Sequence, residues 1–191
     1  MRRKVLSGYR NTAWATDYKL SKYQKIRGQI RDGDLLLWRG NGLVAKGIQR
    51  LGHQYHNHAS FAFVFDKHYT KRVMLFEALA HGVEPEFLSA RLERHDGRCW
   101  WYQLAAKYEA YRPAIYQAAN HYGGTSYDYP GLIKNLFSYV FVDVERLFCS
   151  EYVYASGIDA GLPVEFGLIA PRPDDLLSLG WWVKEGVELD G

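Results

Sequence analysis

The chain has 191 residues, 48% of them hydrophobic and 24% charged, with a formal net charge of +3. That is one ordinary domain, able to bury roughly 70% of its unfolded surface, and it reads as globular and soluble. No uninterrupted apolar run approaches the ~20 residues of a membrane span, and two cysteines are too few for a disulfide-framework protein.

From the N-terminus, MRRKVLSGYR imitates the charged head of a signal peptide, but Arg10 breaks the apolar run, so a cytoplasmic protein is expected. Residues 1–31 hold nine Lys or Arg against Asp17 alone. They form a basic extension continuous with the domain at 32–191. Such an arm suits either contact with an anionic lipid, nucleic acid or acidic partner, or packing on the domain's own acidic surface, and its acid-poor composition also raises organellar targeting.

Leu20, Tyr23 and Ile26 recur at a spacing that predicts a short amphipathic helix within 17–31. Gly33 and Asp34 then form a turn before Leu35–Trp38, a buried strand. A helix is expected over 43–51. Strands follow at Phe61–Phe65 and Val73–Ala78, divided by a turn around Asp66, Lys67 and His68, and a fourth at 100–104. Residues 106–121 have helical character ending at Gly123-Gly124, and a short helix follows Pro130. The last helix is expected to begin near Cys149 and stop at Gly157 or Gly161. The β elements in 33–104 and the helices in 106–161 make two lobes of one α+β core.

The chemistry centres on FCSEYV, residues 148–153. A cysteine at a helix start gains the positive end of the peptide dipole and free N–H groups, which favour the nucleophilic thiolate. Glu151 two residues on opposes that charge, so an imidazole is needed, and His58, opening NHASFAFVF, is the candidate base. Glu77 in VMLFEALAHGV is the candidate carboxylate to orient the ring. The backbone N–H of Cys149 is the expected oxyanion donor. Cys99, in RCWWYQL, reads as structural, and Asp34 as a turn former.

Together these stretches, with GDLLLWRG (33–40), SYDYPGL (126–132) and PRPDDLLSL (171–179), resemble the circularly permuted branch of the NlpC-type papain-like cysteine peptidases and amidases, the YiiX/YebB-like proteins. The permutation lies in the order His, acid, Cys. The resemblance implies a papain-like fold with an antiparallel sheet packed against helices, Cys149 as nucleophile at the N-terminus of a C-terminal helix, His58 as base and Glu77 as third polar residue. It also sets Tyr127 in the substrate groove, as an alternative to a turn tyrosine packing beside Asp128 and Pro130. The implied activity is hydrolysis of an amide in a peptide or muropeptide, without a cofactor. Lipid-directed acyl transfer or thioester cleavage, as in lecithin:retinol acyltransferase-like members, and a non-catalytic binding module are the alternatives. His53, His56 and His58 form a competing zinc motif, but no H-E-x-x-H or C-x-x-C accompanies it, and no metal is expected.

Overall fold

The computed structural model describes residues 20–42, 46, 54–67, 70–79, 82–123, 144–164 and 171–190. Strands β1 (Asp34–Gly40), β2 (His58–Lys67), β3 (Thr70–Leu79), β4 (Gly82–Phe87), β5 (Gly97–Tyr102) and β6 (Val187–Glu188) join in one sheet of order β4-β3-β2-β1-β5-β6. Every neighbouring pair is antiparallel. The helices are α1 (Ser21–Ile26), α2 (Leu88–Arg94), α3 (Arg112–His121) and α4 (Val144–Asp159), with 3₁₀ turns at Ala106–Tyr111 and Pro173–Leu179. The architecture is α+β.

Side chains alternate across each strand, and here both faces of the sheet are covered. Leu35, Leu37, Ala59, Phe61, Phe63, Phe76 and Ala78 point to one face, where Ile115 and Ala119 of α3, Tyr152 and Val153 of α4, and Trp181 and Trp182 pack against them. Leu36, Trp38, Ala62, Val73, Leu75 and Cys99 point to the other, under Tyr23 of α1, Leu88 and Leu92 of α2, and Leu189. This explains why β1 reads as an unbroken apolar run. Each fully buried Leu or Phe among them contributes about 1.5–3 kcal/mol relative to leaving it exposed.

Several expectations need correction. The helices α3 and α4 form a layer on one sheet face, not a second lobe. Gly157, one of the two glycines expected to stop the helix, lies inside α4, where Trp181 leaves no room for a side chain: a Cβ there would come within 2.2 Å of Trp181 Cζ3. The left-handed Gly161 (φ +84°) follows the helix end. Asp34 is no mere turn former. Fully buried, it accepts bonds from Trp101 Nε1 at 2.8 Å, Leu104 N at 3.0 Å, Arg31 N at 3.0 Å and Arg112 Nη1 at 2.8 Å. The segments expected as helices at 43–51 and after Pro130 lie outside the described residues, apart from Lys46, which is helical.

The start of the last helix also differs. It begins at Val144, so Cys149 is its sixth residue, past the first turn. Only the first four N–H groups of a helix lack an internal acceptor. The Cys149 N–H therefore belongs to the helical ladder and is not the oxyanion donor expected from a helix start.

Candidate active site

The register Phe61↔Phe76 between β2 and β3, carried toward the start of β2, sets Glu77 level with Ser60. His58 is one same-face step further, within diagonal reach of a long side chain. The two meet: His58 Nε2–H donates to Glu77 Oε2 at 2.6 Å. Their side chains are 13% and 3% exposed. Glu77 Oε1 also accepts from Arg91 Nε of α2 at 3.1 Å. Alternation assigns His58 and Glu77 to the face that carries Trp38 and Leu75, whereas α4 lies on the opposite face. Because His58 is the first residue of β2, at the end of the sheet, the Cys149 side chain still reaches its ring and hydrogen-bonds it. With Nε2 engaged by Glu77, Nδ1 is the nitrogen left for the thiol.

Burial opposes a charge on the His58 ring, yet Cys149 and then Glu77 outweigh it, through charge and hydrogen bonds, and push the ring up from 6.5 to about 10. Glu77 is subject to the same contest. Burial raises its carboxyl, but the His58 and Arg91 contacts prevail and hold it below the usual range. The protonated form of the His58 ring is thus favoured.

Cys149 is fully buried, as is Cys99, and neither forms a disulfide. The Cys99 thiol is pushed well up by burial and by nearby Asp190, which fits a structural role. Tyr127 and His53 lie outside the described residues. His56 does not join His58. Its Nδ1 bonds Asp174 Oδ1 at 2.5 Å, its ring lies edge-on to Trp100 and Tyr55, and its Nε2 is buried with no partner among the described residues. Among the described residues no group of three His, Cys, Asp or Glu side chains converges as a metal site. Sequence reasoning missed Arg91 and Asp174. Arg91 carries no local signal, being one of two arginines in the last turn of α2. Asp174 stands in the quoted PRPDDLLSL stretch, and only the fold brings it to His56.

No family model matches the chain, and no curated protein matches it. Among solved structures it is similar to the metalloprotein yiiX of Escherichia coli O157:H7, a YiiX/YebB-like protein, at 22% identity and a TM-score of 0.49, over 71% of this chain and 69% of that one. No helix among the described residues is long and apolar enough to cross a membrane.

Proposed function

We propose that the chain is a cysteine-dependent hydrolase of amide bonds, in a peptide or muropeptide, built as a permuted NlpC-type papain-like enzyme. The observation that carries the reading is the contact of the Cys149 side chain with a His58 ring whose other side is held by Glu77. The thiolate of Cys149 attacks the carbonyl carbon, His58 gives its proton to the departing amine as the C–N bond breaks, and a thioester on Cys149 remains. Water, deprotonated by His58, then attacks the thioester and releases the carboxylic acid and the Cys149 thiolate beside the reprotonated ring. Since the sulfur has no open path to solvent here, substrate entry includes uncovering it. Basic residues 1–31, of which Lys22, Lys25 and Arg27 are exposed, supply contact with an anionic surface.

The test is turnover of amide, ester and thioester substrates side by side by the wild type, Cys149→Ala and His58→Ala. Each variant is expected to lose nearly all activity, because nucleophile and base act as a unit. Retained activity in folded Cys149→Ala refutes the reading. Preference for the ester or thioester moves the assignment to lipid-directed acyl chemistry.

A further inference from the structure

The guanidinium of Arg91 stands behind the carboxylate that holds the base. Its Nε is 3.1 Å from Glu77 Oε1 and 3.5 Å from Oε2. Its carbon Cζ lies 5.1 Å from the ring centroid of Trp38, a cation–π seat. Trp38 is itself immobilised: it is fully buried, its Nε1 donates to Ser60 Oγ at 2.9 Å, and it is the register partner of His58 between β1 and β2. Arginine, seat, carboxylate and imidazole therefore close one ring of contacts on the sheet face turned away from α4.

We propose that Arg91 is a positioning residue for the reaction: seated on Trp38, it occupies Glu77 Oε1 and so turns Oε2 to His58 Nε2. The inference rests on the hydrolase reading of Cys149 and His58. A carboxylate bonded at one oxygen only is free to rotate about its last torsion, and the imidazole it orients would follow. Among the described residues, few groups face Glu77. His58 comes from β2, Arg91 from α2 and the Cys99 thiol from β5, while Glu84 is its register partner on β4 and is exposed. Among the described residues Arg91 is thus the cation on the side of Glu77 opposite the base. Since it lies across the sheet from α4, its loss leaves the α4 side intact and acts on turnover rather than on substrate affinity.

Arg91→Gln and Arg91→Lys in the full chain test this, with the Glu77 carboxyl followed by carbon-13 NMR across pH and kcat and KM taken on the substrate found above. In Arg91→Gln, proton uptake by Glu77 is expected to move up by about one pH unit or more, the usual effect of losing a close opposite charge. The acid limb of the kcat profile should move with it, and kcat near that limb should fall about tenfold per unit with KM unchanged. Arg91→Lys, which keeps the charge, should restore most of the limb. A folded Arg91→Gln protein in which Glu77 titrates as in the wild type, or in which KM alone changes, overturns the proposal. A wild type that turns over no amide, ester or thioester refutes the hydrolase reading instead, and the positioning role with it. The Glu77 titration reports the Arg91 contact separately from either result.

Discussion

Glu77→Gln removes the charge that His58 and Arg91 share while keeping the side chain's size. In the amide one acceptor oxygen becomes an NH2 donor that would face either His58 Nε2–H or Arg91 Nε–H, and neither partner keeps a counter-charge. A carboxylate at hydrogen-bond distance typically shifts its partner by about 1–3 pH units, and each unit is about 1.4 kcal/mol. The His58 ring, now held up to about 10, should fall by that amount but stay above the value that burial alone would set, because Cys149 remains beside it. Turnover should fall about 10- to 1000-fold, because the orientation of the ring and the counter-charge that steadies its protonated form are lost.

The same substitution changes stability with a defined sign. A ring raised from 6.5 to about 10 contributes stability that is complete below 6.5 and lost as pH rises through about 10. A carboxyl lowered from 4.5 contributes stability present above 4.5 and lost as pH falls through its lower folded value. Both contributions are therefore whole between 4.5 and 6.5. In Glu77→Gln the acid limb should vanish and the alkaline limb should shift down. Urea unfolding across pH reads the limbs, and nitrogen-15 NMR of the His58 ring reads the shift. A ring that still titrates near its wild-type value in Glu77→Gln would refute the reasoning, because Glu77 would then not be what holds its charge.

The two thiols should differ: Cys149, paired with His58, should react with iodoacetamide faster than Cys99, whose thiol is pushed well up by burial, and mass mapping of singly labelled protein checks this. Gly157→Ala should destabilise the fold by about 1–3 kcal/mol, since the new methyl meets Trp181 at 2.2 Å; a shift in the urea midpoint measures it. Burial pushes the Glu151 carboxyl up from 4.5 to about 7, so the native state prefers it protonated and loses stability as pH rises between those values. Glu151→Gln, neutral throughout, should lose that decline, seen by comparing unfolding at about pH 5 and about pH 8.

Which parts of this fold the sequence exposes follows from where the information lies. Strands β1, β2 and β3 are dense apolar runs closed by turn residues, and α1 shows its spacing in Leu20, Tyr23 and Ile26. The strand β4 does not, because Glu84, Pro85 and Glu86 interrupt it; as an edge strand it tolerates a proline. Helix α2 follows it directly at Leu88 with no capping side chain to announce the change. The two residues of β6 are too short for any period, and Asp190, whose Oδ1 accepts the Cys99 N–H at 2.7 Å, helps fix the segment. The helix α4 starts five residues before Cys149, and the cysteine itself does not signal that start. In the sequence, Asp143 before Val144 is of a residue type common ahead of helices. The His58–Glu77 contact is legible as a hairpin pairing, whereas nothing local places Cys149 beside either.

The histidines of HQYHNH show how tertiary partners divide a motif that reads as a unit. Asn57, between His56 and His58, is tied to β1 from both sides: its N–H donates to Trp38 O at 2.8 Å and its Oδ1 accepts from Gly40 N at 2.7 Å. Asp174 accepts the Tyr55 N–H at 2.6 Å as well as the His56 ring, so it anchors the chain entering β2 to the 3₁₀ turn that begins at Pro173. His56 is thereby drawn among Trp100 and Tyr102, on the face that α4 covers, while His58 turns to Glu77 on the face with Trp38. Two imidazoles held by separate carboxylates, on opposite faces of the sheet, do not share one metal ion. With the chain before it held at Asn57 and by Asp174, and its ring held between Glu77 and Cys149, His58 has the restriction that the hydrolase reading requires of a base.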